Sequence, residues 1–452
     1  MQVIIPTTVT DGTFTRASSA TYWNSSGVLS TAAVDVLRIG YDPLNLSSPP
    51  FAIIENAATN LLLNSATLVT QSVTTTATLY TLSYYGTGSV TLTGSASGLV
   101  VGVGASPNRT VYTFSALAGT LTLTVAGSCV NAQLEASTAA SSYIPTTGAA
   151  ATRAADITGE GLIYSSITEP EAGWPAWNSG TTYALDAQVT YLHRRYTSLQ
   201  ASNTNHNPLT DTTVPAYWLD VGPTNRYAMF DSVIGTSTSA TTTMTVVIKA
   251  SDVGGISLMQ MIADRAKISV SILGGELSYS RDLNLSGGMI IDWWEYFNNP
   301  IVRTTDYVLT DVPPVLNAYV TLVLSVTSGT VSIGNMVVGG IYEFINTGCS
   351  ATASSPTIGI IDYGVKTTDA FGNVKLLPRG YAKRMNVKLM LDSTQVDRAA
   401  SKLAAIRATP CVWIAAENLY QSLIVYGYYK DWEIEIAYTT KSYCSIQIEG
   451  LI

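Results

Sequence analysis

The constraint that most narrows the fold of this chain is a two-residue alternation of apolar and hydroxyl side chains, interrupted by turn residues every 8–12 positions. Val90-Thr91-Leu92-Thr93 and Leu121-Thr122-Leu123-Thr124-Val125 are the clearest cases. Successive side chains of a strand point to opposite faces, so such runs bury one face and wet the other, as in antiparallel sheets. From about residue 66 to 150 this pattern predicts a sandwich or jelly roll. The Ala- and Ser-rich run 136–142 has no 3.6-residue apolar stripe and reads as a connection.

Beyond about residue 224, apolar strands are predicted at Thr243–Ile248, Tyr319–Val326 and Thr330–Val338. Three more close the chain at Ser422–Tyr428, Trp432–Tyr438 and Tyr443–Glu449. One helix interrupts them, predicted over Ser393–Ala408. Asp392 or Ser393 would be its N-cap, Val396, Ala399, Leu403 and Ile406 share a face, and Pro410 lies just past its end. The fold class is therefore mainly β: a sandwich or jelly-roll module, a small aromatic-rich β module, and a β-rich C-terminal region with one packed helix near 393–408. The predicted boundaries are 1–157, a linker at 158–175, the small module at 176–222, and 223–452.

Composition limits the function classes. Charged residues make up only 12% of 452 positions, about half the ~25% of ordinary soluble domains, and Tyr (26) outnumbers Phe (7). Low charge leaves flat, weakly polar surface suited to burial between subunits, so a homo-oligomer is expected, with a trimer preferred. The net charge of −8 argues against nucleic acid, which requires a basic stripe. No apolar run approaches the ~20 residues of a membrane span. Cys129, Cys349, Cys411 and Cys444 lie far apart and read as small buried residues. The start, Met1-Gln2-Val3-Ile4-Ile5-Pro6, lacks a basic segment followed by a long apolar one, so export by a signal peptide is not expected.

Some wording in the first third is distinctive. Thr13-Phe14-Thr15-Arg16-Ala17-Ser18-Ser19-Ala20-Thr21-Tyr22 is followed by Gly27-Val28-Leu29, Tyr41-Asp42-Pro43 and Ile54-Glu55-Asn56-Ala57-Ala58-Thr59-Asn60-Leu61-Leu62. Later come Asn131-Ala132-Gln133-Leu134-Glu135, Ser142-Tyr143-Ile144-Pro145 and Thr152-Arg153-Ala154-Ala155-Asp156. Over residues 1–157 the chain resembles the sugar-binding-type β module reused in the tail tips, fibres and spikes of tailed bacteriophages. The resemblance implies a virion part that meets a bacterial surface, assembled in the host cytoplasm, with a host cell-surface glycan as partner.

Residues 174–221 resemble the small carbohydrate-binding modules appended to chitinases, through Trp177, Tyr183, Val189-Thr190-Tyr191, Tyr196, Asn207-Pro208 and Tyr217-Trp218. Leu185-Asp186-Ala187 stands where that family usually has Gly-Asp. Flat pyranose faces stack on Trp and Tyr rings. The candidate glycan-binding residues are accordingly Trp218, Tyr217, Tyr196, Trp177 and Tyr183, with Trp177, Tyr183 and Val189 also suited to the core. Trp218, Tyr217 and Tyr196 are the plausible stacking rings. His193 and His206, the chain's two histidines, read as polar surface residues rather than a zinc pair.

The C-terminal region resembles uncharacterised phage tail proteins, through Asn225–Asp231, Pro300–Arg303, Gly359–Tyr363, Thr368–Asn373 and Cys444–Leu451. The resemblance implies docking onto other tail or baseplate proteins through 223–452. No catalytic residue, metal or cofactor is assigned. Asp292 and Glu295 sit among aromatics, as in a glycosidase cleft. On a strand they would face opposite ways, and the segment reads as a partly buried strand or interface edge. The expected function is non-enzymatic saccharide contact at a tail tip. A glycan depolymerase and a purely architectural baseplate protein are the alternatives.

Overall fold

The computed structural model describes residues 1–233, 235–286, 292–298, 303–344, 356–368, 372–415, 423–436 and 440–451. The fold is mainly β, and among the described residues every strand pairing within the sheets is antiparallel.

The expected sandwich is present. One sheet holds Gln71–Thr75, Ser89–Gly94, Gly98–Val101 and Gly119–Ala126; the other holds Thr78–Gly86, Gly104–Ala116 and Val130–Glu135. Their inward faces supply one core, including Leu82, Tyr84, Leu92, Leu121, Leu123 and Leu134. The alternation in the sequence is thus spent as predicted: Leu121 and Leu123 are buried and Thr120 and Thr124 are exposed.

The module boundary differs from the one expected at residue 1. Gln2–Pro6 lies inside a nine-stranded sheet of the C-terminal region, between Asn335–Glu343 and Cys411–Ile414, with Ile4 opposite Ile341 and Val412. Val3 and Ile4 are both fully buried, in separate clusters, because alternate side chains of an internal strand enter different cores. The sandwich is therefore an insertion. Its two ends meet where Phe14–Thr15 pairs with Ile157–Thr158, and Ala58–Asn60 pairs with Ala151–Arg153.

The stretch 158–175, expected as a linker, also contributes structure. Gly161–Ser165 is the edge strand of a five-stranded sheet with Thr238–Val253, Val315–Ile333, Arg265–Ser271 and Leu277–Asn284. The inserted module packs on this sheet. Ser269 and Ser271 donate to the carbonyls of Pro50 and Ala52, and the Ala52 amide donates to Thr321 Oγ1.

The β-rich body includes a sheet curled into a half-barrel. Its helix, Val396–Ala405, is preceded by a short 3-10 turn at Ser393–Gln395, so the α-helical part starts three residues later than predicted. Ala399, Leu403 and Ile406 are buried against Met385, Leu389 and Trp413, and Val396 is half-buried. The two strands expected at 422–428 and 432–438 are one strand, Ile424–Glu435, bulged between Tyr429 and Asp431. Ser422 and Ala437–Tyr438 lie outside the described residues, as do 300–302 and 369–371 of the tail-protein resemblance. Cys129, Cys411 and Cys444 are buried free thiols; burial pushes Cys444 up to about 11, which keeps it protonated. Cys349 lies outside the described residues.

Candidate functional site

The distinctive wording of the first third converges on one place. Arg16, Arg38, Glu55, Arg153 and Asp156 come from four separate segments and form a buried ionic network, each at most 7% exposed. Asp156 accepts from Arg16 Nη1 at 3.1 Å and from Arg38 Nη2 at 2.7 Å. Glu55 Oε2 is 2.8 Å from Arg38 Nη1 and 2.5 Å from Arg153 Nη1. The backbone joins in: the Glu55 amide donates to Asp156 Oδ2 at 2.8 Å, and the Asp156 amide donates to the Glu55 carbonyl at 2.9 Å.

Arg16 also caps a turn by donating to the carbonyls of Ser18, Ala33 and Val36. Burial alone raises the pKa of Glu55. The charges of Arg153 and Arg38 and two hydrogen bonds from Ser142 outweigh burial and hold it below the ordinary glutamate range.

The uncharged words of the motif do similar work. Asn60 donates to the carbonyls of Ala132 and Ile144 and accepts from the amides of Leu62 and Leu134. Gln133 accepts from the Ile144 amide at 2.6 Å, and Tyr143 shares a 2.7 Å hydrogen bond with Ser65. Buried polar groups are tolerable only when paired, and pairing across long sequence separations fixes loop positions. The segments 55–61 and 135–142 are held this way, and between them lies a cleft of about 400 Å³. Sequence reasoning quoted Arg16, Glu55, Asn60, Gln133, Tyr143, Arg153 and Asp156 without giving them a role, and missed Arg38 and Ser65 altogether. The available signal was that a chain with so few charges places four of them inside Ala-, Ser- and Thr-rich motifs.

The aromatic candidates divide. Trp218, Tyr196 and Tyr183 are 8%, 3% and 9% exposed and, with Val189, form the core of the small module. Trp218 packs edge-on to Tyr183 at 5.3 Å and donates Nε1 to the His206 carbonyl at 2.8 Å. The stacking role expected of Trp218 and Tyr196 is corrected accordingly: a fifty-residue module needs its largest rings for its own core. Trp177 and Tyr217 remain half-buried. Trp177 lies edge-on to Tyr191 at 5.2 Å, and one face of Tyr217 is covered by His206 at 3.5 Å.

Neither histidine is a plain surface residue. His206 pairs with Asp211 at 2.8 Å. His193 stacks on Tyr227 at 3.9 Å and bonds Glu169 at 2.9 Å, tying the small module to the body. Tyr227 in turn donates to Asp11.

The segment around Asp292 is a short helix, Trp293–Asn298, rather than a strand. Trp293, Trp294 and Phe297 are 77%, 67% and 74% exposed, so the expected partial burial is not found; the Glu295 side chain lies outside the described residues. Among the described residues no group of three or more His, Cys, Asp or Glu side chains is placed to hold a metal ion. No described helix is long and apolar enough to cross a membrane. A second cavity, of about 640 Å³, lies in the C-terminal region beside Met259, Tyr381, Lys383 and Tyr426. No family model matches the chain, and no curated protein sequence matches it either.

Proposed function

We propose that this chain is a structural component of a bacteriophage tail tip or baseplate that contacts host-surface saccharide without cleaving it. The C-terminal β region serves as the tail-facing base, and the inserted sandwich and the small aromatic module face the host. The observation that carries this reading is the convergence of the phage-module wording on one buried network. Residues that look like scattered motif fragments in the sequence become a single device holding two loops beside a cleft. Affinity would be gained by several copies acting together, each making modest contacts.

The rival depolymerase reading needs a carboxylic acid protonated at working pH and a second carboxylate nearby. Glu55 lines the cleft but is ion-paired to two arginines and held below the ordinary range, the opposite of a general acid. Glu135, also lining the cleft, accepts the amide and hydroxyl of Ser141. Both engagements favour a rigid binding wall.

The test is to present the full chain with purified host-surface glycans and measure retention and reducing-end release together. Retention without release is expected. Release of reducing ends would make the protein a depolymerase, and absence of both would leave a purely architectural role.

A further inference from the structure

We infer that the cleft between segments 55–61 and 135–142 is the saccharide site, and that it takes an uncharged sugar unit. This inference rests on the glycan-contact reading above and assigns it a place and a ligand class. The cleft encloses about 400 Å³, within the ~300–1,000 Å³ typical of small-molecule sites. One wall comes from outside the sandwich. Gly274, in the turn between Arg265–Ser271 and Leu277–Asn284, donates its amide to the Ile54 carbonyl at 2.8 Å and lines the cleft. Its neighbour Gly275 has φ +75°, and a Cβ there would sit 3.3 Å from Ile53, so the turn's close approach requires glycine. The site therefore exists only where the sandwich meets the C-terminal body.

The lining selects the ligand. Ala57, Ala58, Ala136, Ala139 and Ala140 present methyl groups of a size that suits the C–H faces of a sugar ring without a stacking aromatic. The exposed Asn56 and the half-buried Thr59 and Ser137 supply polar contacts. Glu135, 2% exposed and bonded through both oxygens to Ser141, holds that wall in place from behind.

Charge excludes acidic sugars. Arg153, the cation in the lining, is committed to Glu55 and to the Asn56 carbonyl. An anionic sugar would lie beside two carboxylates, and the lining offers no exposed cation to bind it. Sugar hydroxyls, which donate, match what the wall lacks.

The experiment uses the full chain against a panel of neutral hexose, N-acetylhexosamine, sialylated and uronate oligosaccharides. Ala139→Trp fills the cleft from an exposed position, Asn56→Ala removes an exposed polar contact, and Tyr217→Ala tests the small module. Neutral oligosaccharides should bind, and Ala139→Trp should weaken that binding by about tenfold or more with an unchanged melting temperature. Asn56→Ala should weaken it too, and Tyr217→Ala should leave most of it. Binding that survives Ala139→Trp but is lost in Tyr217→Ala would overturn the cleft while leaving glycan contact intact. Selective binding of acidic sugars that Ala139→Trp abolishes would overturn the ligand class. If the wild-type chain retains no host glycan at all, the functional reading itself fails, and this inference with it.

Discussion

Removing the Asp156 carboxylate should loosen the whole N-terminal module, and the structure sets the size of the effect. The side chain is fully buried and accepts three hydrogen bonds, from Arg16, Arg38 and the Glu55 amide. In Asp156→Ala, Arg16 loses its one ionic partner in the network, while Arg38 keeps Glu55 at 2.8 Å. The five-group network then carries three guanidinium charges against a single carboxylate, all inside the protein. Breaking a buried pair by removing one partner costs ~3–5 kcal/mol, because the other charge stays desolvated. Against a typical domain stability of ~5–15 kcal/mol this is severe without being always lethal.

Hydrogen exchange resolved by peptide is the fitting assay, since a chain of several modules need not unfold in one step. At about 1.4 kcal/mol per tenfold, exchange in residues 51–60 and 130–135 should accelerate by about 10²–10³-fold or more. The C-terminal strands should be nearly unaffected. Arg265→Ala is the control: its pairing with Asp282 is half-exposed and should matter little. An Asp156→Ala effect no larger than that of Arg265→Ala would refute the claim that the network holds the module together.

Further outcomes follow from the same contacts. Glu55 is held below its ordinary value when folded, so its contribution is complete above pH ~4.5 and is lost as pH falls through the lower folded value. Melting measured from pH 6 to 3 should show the module failing in acid, and Glu55→Gln should flatten that slope while lowering stability at pH 7; equal slopes would contradict the assignment. Trp218→Ala should cost the small module ~3–5 kcal/mol, seen as loss of its near-ultraviolet circular dichroism. Weakened cell adsorption with the module still folded would instead restore Trp218 as a ligand-stacking ring. Leu403 is fully buried on the helix Val396–Ala405, so Leu403→Asp should cost several kcal/mol and, if the C-terminal region is the tail-facing base proposed above, yield virions lacking the protein. Normal incorporation would show that attachment does not depend on this core.

Much of the fold was legible because its signals are local. Alternation marked strands such as Leu121–Val125, and the stripe Ala399/Leu403/Ile406 marked the packed helix. What escaped was long-range pairing. Nothing in Gln2–Pro6 says that it will sit beside residues 341 and 412, since a five-residue strand carries no address for partners hundreds of residues away. The bulge that fuses Ile424–Glu435 into one strand was hidden for a related reason: Lys430-Asp431 looks like a turn until the neighbouring strand pairs across it.

The candidate site was half visible. The motif residues stood out as wording, but Arg16, Glu55 and Asp156 acquire a role only when four segments fold together. Among the aromatics, composition could say that the module had many rings, and only packing could say that Tyr196 and Trp218 face inward.

The proposed function is tested most directly by asking whether virions carry this protein, and where. Purified virions labelled with gold-conjugated antibody against this chain should carry label at the distal end of the tail, the end that meets the cell. Label on the capsid, or virions that carry none, would contradict the proposed function.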